Sequence, residues 1–209
     1  MSALKAATAP IYFGSFIVTS QVTSLPGPLL QPPRHPLTSP THQVFLQTPL
    51  SYALVNLKPI LPGHVLVSPR RVVPRVADLT AAETSDLFLT VRRVGRMVER
   101  VYGASSLNIA VQDGIHAGQS VPHVHAHIIP RKAADLDHRG GTDAVYDLLD
   151  GEEGDVGKAH REGEDGIEKP RRRTRFPVVD NEARKPRSAE EMSREAEMLA
   201  REMEKEPVD

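Results

Sequence analysis

The 209-residue sequence has no cysteine, no tryptophan and no apolar run near the roughly 18 residues that span a bilayer. Without cysteine there is no disulfide framework, no thiolate metal site and no cysteine nucleophile. The N-terminus also lacks the basic-then-apolar layout of a secretory signal. The expectation is a cytoplasmic or nuclear protein with no membrane partner. A net charge of −1 argues against a general polyanion-binding surface, so nucleic acid is not an expected partner. What is plentiful is proline, 18 residues, beside 14 glycines, in an otherwise ordinary composition of 39% hydrophobic and 25% charged residues. That combination predicts one packed domain interrupted by loose segments.

Val44-Phe45-Leu46-Gln47 and Ser51 to Leu57 are rich in β-branched and aromatic residues and read as antiparallel strands around a Thr48-Pro49 turn. Pro59 to Gly63 is a rigid turn, and His64 to Ser68 is a third strand stopped by Pro69. Thr80 with Glu83 has capping-box spacing, and Leu87, Val91, Val94, Val98 and Val101 follow at helical intervals up to Gly103. Leu107 to Val111 and Val121 to Ile129 are two more strands, separated by a Gln112-to-Ser120 loop. Ser188 and Glu191 offer a second capping box before Met192, Ala196, Leu199 and Met203. These elements predict an α+β fold.

The domain organisation read from these signals is an N-terminal strand segment over 1–21, a proline-rich insertion over 22–43, a core over 44–150, a charged disordered linker over 151–187 and an amphipathic helix over 188–206. The basic run from Lys169 to Arg175 reads as solvated linker rather than a nuclear signal or nucleic-acid contact. Two origins are open for the insertion. It is a genuine disordered loop, or the translation of a short retained intron: Val22 is encoded by GTN, Leu37-Thr38 fits a CTNAC branch signal, and CAG encodes Gln43. Sequencing the transcript separates them.

The richest chemistry lies in His123-Val124-His125-Ala126-His127. Alternate side chains of a strand share a face, so three imidazoles project one way and Val124, Ala126 and Ile128 the other. A zinc site is the rival reading, because imidazoles at i and i+2 can ligate it. The adjoining Gly114-to-Ser120 loop, however, supplies amides, a hydroxyl and glycines, which suit an anion. A phosphate held there would lie beside the histidines. A neutral imidazole is a competent nucleophile near pH 7 if its tautomer is fixed, and the central His125 has a histidine on each side. His125 is therefore the candidate nucleophile.

Gln112-Asp113-Gly114, Ala117 to Val121 and His123 to Arg131 resemble the histidine-triad superfamily, in particular its Fhit-type branch of diadenosine triphosphate hydrolases. The likeness extends through Tyr52 to Pro59 and Pro62 to Val67. Arg131 after Ile129-Pro130 sides with that branch over Hint-type phosphoramidases, and the intact third histidine sides against the uridylyltransferases. The resemblance implies a homodimer whose subunits each carry a five-stranded antiparallel sheet, one long helix and a C-terminal helix. It implies a two-step reaction on diadenosine polyphosphates, releasing ADP and then AMP through an adenylyl-histidine intermediate. On that reading His125 carries the AMP, His127 contacts the scissile phosphate, and His123 and His64 support them. Asn56 holds the ribose, while Gln112, Gly118, Gln119, Ser120 and Val121 hold phosphates. Magnesium or manganese accompanies the substrate without a tightly bound metal site. Tyr146 falls where the family has a tyrosine on a mobile loop, the plain alternative being an exposed loop tyrosine. Phe16 stands where relatives often carry a nucleotide-contacting histidine. The alternatives are a signalling protein whose substrate-bound dimer is the active species, a Hint-like nucleoside phosphoramidase, and a zinc protein.

Overall fold

Strands need side chains that pack on a pleated surface, and the runs Val44–Gln47 (β3), Ser51–Val55 (β4), Val65–Pro69 (β5), Ser106–Val111 (β6) and Ala126–Arg131 (β7) supply them. In the computed structural model, which describes residues 11–14, 16–18, 43–150 and 186–208, these five form one antiparallel sheet in the order β3-β4-β5-β7-β6. A separate two-stranded hairpin, Tyr12–Phe13 (β1) and Phe16–Ile17 (β2), precedes them. The insertion up to residue 42 and the charged tract over 151–185 lie outside the described residues, as does the side chain of Phe16.

β4 and β5 are buried along their whole length because both sheet faces are covered. Ala53, Val55, Val65, Val67, Val124, Ala126 and Ile128 face a core shared with two helices. The first is Ala81–Tyr102 (α1), which buries Leu87, Val91, Val94 and Val98; its Thr80–Glu83 capping box is formed in both directions, and Gly103 ends it in the left-handed conformation. The second is Ala189–Met203 (α3), capped by Ser188 and Glu191 and burying Met192, Ala196, Leu199 and Met203. Arginines of α1 receive its C-terminal end: Arg93 donates to the carbonyls of Met203 and Glu206, and Arg100 to the carboxylates of Glu202 and Glu206. They add side-chain donors to the last turn of the helix and the residues just after it, where cations are favoured.

The opposite sheet face is covered in two patches. One joins the N-terminal hairpin to Tyr52, Leu54, Leu66 and Val121. The other joins Ile60, Ile129 and Leu136 to a short helix, Ala144–Asp150 (α2), which buries Val145, Leu148 and Leu149. The histidines lie on this second face.

Strand boundaries differ from the sequence reading: β4 ends at Val55 rather than Leu57, and β5 begins at Val65 rather than His64. β7 begins at Ala126, not Val121, and its ladder with β5 runs only from Ala126 to Ile128. Pro122 has no N–H to donate, and His123 and His125 lie ahead of the strand on a segment held by other means: His123 N–H turns back to Val121 O, Val124 N–H donates to Val73 O, and Ser68 Oγ donates to Val124 O. Pro69 does not stop β5 but is its last residue, opposite Ser51.

Candidate active site

Strand register places Leu66 opposite His127, so the imidazole leaves the sheet beside the residues that lead into β5. His64 comes immediately before that strand, delivered by Gly63 at φ +85°. A Cβ on Gly63 would lie 2.5 Å from the Tyr102 ring, so this turn requires glycine twice over, by conformation and by space. His123, His125, His127 and His64 are all buried. Ring centroids separate His125 from His127 by 5.0 Å and His64 from His127 by 5.2 Å. Phe13 of the hairpin packs edge-on against His125, centroids 5.2 Å apart, and against His123 at 5.8 Å. The contact of Phe13 with the histidines is a feature of the fold.

Hydrogen bonds fix which nitrogen of each ring carries its proton, because a backbone N–H only donates and a carbonyl only accepts. Ile60 N–H donates to His64 Nδ1 at 3.1 Å, so the proton of neutral His64 sits on Nε2. That N–H donates to His127 Nδ1 at 2.9 Å, which leaves the His127 proton on Nε2. His125 has the opposite arrangement: its Nδ1–H donates to the His123 carbonyl at 2.8 Å, and its Nε2 holds a lone pair. Both Nε2 atoms are buried without a hydrogen-bond partner. Burial lowers the affinity of all three triad imidazoles for a second proton: His123 is pushed down to about 4, His125 is lowered, and His127 is held well below 6.5, with neighbouring histidines adding to the effect. The site thus sets a lone pair and an N–H donor side by side in neutral rings.

The loop before the triad divides into residues at the site and residues that brace it. Gly118, at φ +88°, lets Gln112 approach; a Cβ there would lie 2.5 Å from Gln112 Nε2 and 3.0 Å from an Asp150 carboxylate oxygen. Gln112 Nε2 donates to Leu149 O, while its Oε1 is buried without a partner. Gln119 turns away from an anion-binding role: its Oε1 accepts from Gly114 N–H, and its Nε2 donates to Pro74 O at 2.8 Å and His123 O at 3.4 Å. Its backbone N–H is committed to Gly114 O. Gln119 therefore clamps the loop to the carbonyl that orients His125. Ser120 and Val121 continue to His123, with Val121 buried against Phe13.

Asn56 is fully buried at the end of β4, its Oδ1 accepting from Lys58 N–H. Its Nδ2 lies 3.2 and 3.5 Å from the two ring nitrogens of His64, a position above the imidazole rather than on either lone pair. Tyr146 stands on α2, 59% exposed, rather than on a loop. Arg131 is an internal brace, paired bidentately with Asp135 and bonded to Asn108 and Thr142 O. Sequence reading missed Leu149 at Gln112 and Asp150 beside Gly118, since a seven-residue helix gives little periodicity. It also missed Arg187, which bonds the Asn56 carbonyl from across the chain.

A family model described as the HIT domain matches residues 38–134. A bis(5'-nucleosyl)-tetraphosphatase (asymmetrical) of Schizosaccharomyces pombe is 51% identical over 160 residues, covering 75% of this chain and 86% of that protein. The bifunctional bis(5'-adenosyl)-triphosphatase/adenylylsulfatase FHIT of Arabidopsis thaliana is 60% identical over 111 residues, covering 53% of this chain and 60% of that one. Among solved structures, the diadenosine triphosphate hydrolase of Plasmodium falciparum has a TM-score of 0.60 at 23% identity, covering 96% of this chain and 88% of that one. At that identity the likeness speaks for the fold.

Proposed function

The chain belongs to the HIT-domain family, and from that premise we propose that it hydrolyses dinucleoside polyphosphates, cleaving diadenosine triphosphate to AMP and ADP. The observation that carries the reading is the opposed tautomers of His125 and His127. His125 Nε2 attacks the α-phosphorus, forming a P–N bond as the P–O bond to ADP breaks. ADP leaves with that electron pair as a phosphate oxyanion, its developing charge met by a hydrogen bond from His127 Nε2–H. Water then attacks the adenylyl group, the P–N electron pair returns to His125, AMP departs, and the proton lost by water passes through the product phosphate to solvent. His64 keeps His127 in the donating tautomer, and His123 lends its carbonyl to His125. We assign ribose contact to Asn56 and phosphate contact to Gln112, Gly118, Ser120 and Val121. Gln119 acts on phosphate only through the loop it braces.

Magnesium or manganese belongs with the substrate in this scheme. Among the described residues no three His, Cys, Asp or Glu side chains are grouped to hold a metal ion. Gln112 Oε1 is a buried oxygen without a partner, the donor type a hard cation takes alongside phosphate oxygens. When bound, the cation would neutralise charge on the polyphosphate.

The homodimer is part of the same proposal. β6 ends the sheet order, and Ile109 on it is 49% exposed. Such an edge is normally covered, and sedimentation of the full chain tests whether a second copy covers it. A cytoplasmic or nuclear location rests on the sequence, and imaging the tagged full chain tests it.

The deciding experiment is incubation of the full chain with diadenosine triphosphate and, separately, tetraphosphate, since the relatives are named for both. AMP plus ADP from the triphosphate, and loss of all turnover in a folded His125→Asn variant, are expected. Cleavage that survives the substitution would remove His125 from the covalent step. The second reading is that the substrate-bound protein is itself the signal. On that reading a cellular phenotype persists in His125→Asn.

A further inference from the structure

β4 and β5 pair as far as Val55 opposite Val65. The carbonyls of Asn56 and Leu57 therefore lie beyond the ladder and need partners from elsewhere. Both come from one residue. Arg187 N–H donates to Leu57 O at 3.1 Å, and its guanidinium donates to Asn56 O through Nε at 3.1 Å and through Nη2. The remaining fork nitrogen, Nη1, pairs with Glu195 on α3, whose other oxygen accepts from Tyr102 OH at 2.7 Å. Arg187 is mostly buried, with 19% of its side chain exposed. It sits 131 positions after Asn56 and opens the described C-terminal segment.

What Arg187 holds is not an ordinary turn. Asn56 lies above the His64 ring, and His64 fixes the tautomer of His127. We propose that Arg187 is a positioning residue of the histidine site: by locking the Asn56–Leu57 carbonyls it sets the Asn56 side chain and the His64 ring, so the C-terminal segment is a working part of the site rather than a cover for the core. The planar fork of arginine suits this, since two parallel donors on one carbonyl and a third on Glu195 fix direction as well as distance.

The kinetic consequence rests on the hydrolase reading; the structural one does not. The test compares the full chain with Arg187→Ala, Arg187→Lys and Arg100→Ala. Arg100 also fastens α3, through Glu202 and Glu206, but has no bond to the Asn56 turn. Arg187→Ala is expected to lower kcat for diadenosine triphosphate about tenfold or more and to raise KM, because small displacements at a reacting centre are costly. Arg187→Lys recovers part of kcat. Arg100→Ala lowers Tm with kcat unchanged. Long-range 1H–15N spectra of the histidine rings should show His127 protonated on Nε2 in wild type and Arg100→Ala, and averaged between tautomers in Arg187→Ala. A single unchanged tautomer in Arg187→Ala overturns the proposal, and so does an Arg100→Ala variant that loses as much kcat for the same loss of Tm. If wild type does not cleave the dinucleotide, the hydrolase reading falls, and the ring spectra still decide the role of Arg187.

Discussion

A histidine attacks phosphorus only through a nitrogen that carries no proton, and two conditions keep His125 in that form. The His123 carbonyl takes the proton on Nδ1, and burial disfavours a second proton on the ring. Because the shift is downward, the neutral fraction survives to lower pH than in a free imidazole, whose reference value is about 6.5. The rate of diadenosine triphosphate cleavage should therefore stay flat from pH 8 to about 6.5 and fall only below it. Initial rates between pH 5 and 8.5 check this, and an acid limb centred at or above 6.5 would contradict it. Gln119 provides a second case at this scale. Its amide satisfies Gly114 N–H, Pro74 O and His123 O together, and a bond of this kind contributes about 0.5–1.5 kcal/mol. Gln119→Ala should lower both the urea midpoint and kcat, whereas affinity for inorganic phosphate should change little. A large loss of phosphate affinity with stability intact would return Gln119 to a direct binding role.

Between residues and the whole fold stand turns and short elements, and Gly63 shows how much of the site depends on them. Placing a Cβ there forces both a left-handed L-residue and a clash with the Tyr102 ring, together costing roughly 2–4 kcal/mol. Gly63→Ala should lower Tm and also reduce kcat, since His64 follows directly. Retained kcat beside lowered Tm would show that His64 is placed by the ladder instead. The Pro-Gly pair made this turn readable in advance, as helical spacing did for α1 and α3 and β-branched runs did for β3, β4 and β6. The triad as a set was legible for the same reason, period two. Its strand boundary was not, because alternation in a sequence does not say which of the alternating residues join a ladder: His123 and His125 lie ahead of β7. The clamp made by Gln119 was not legible, because an amide next to glycines suits a phosphate and a backbone clamp equally well. Arg187 gave no signal at all: its partner is distant in sequence, and a lone arginine after a charged tract has no period.

At the scale of the molecule, the burial that keeps His125 reactive near neutrality has a consequence for stability. In the unfolded chain each triad histidine binds a proton near pH 6.5, whereas in the fold His123 does so only at about 4, His125 is lowered, and His127 is held well below 6.5. Between those limits the unfolded chain holds more protons than the native one, so stability rises with pH there. It is complete above about 6.5 and is lost as the pH falls towards 4. The ion-paired carboxylates act later. Glu83 is held down to about 2 by Arg71 and the Thr80 cap, so its contribution persists until the pH drops below about 4.5. The first acid-induced loss therefore belongs to the histidines. Urea midpoints should be level from pH 8 to 7 and decline from pH 6.5, before any carboxylate protonates appreciably. The decline should be shallower in a folded His123→Asn variant, which removes one of the three buried rings. A midpoint that holds constant down to pH 4.5 would mean that the rings gain protons as readily in the fold as outside it, and the burial argument for His125 would fail with them.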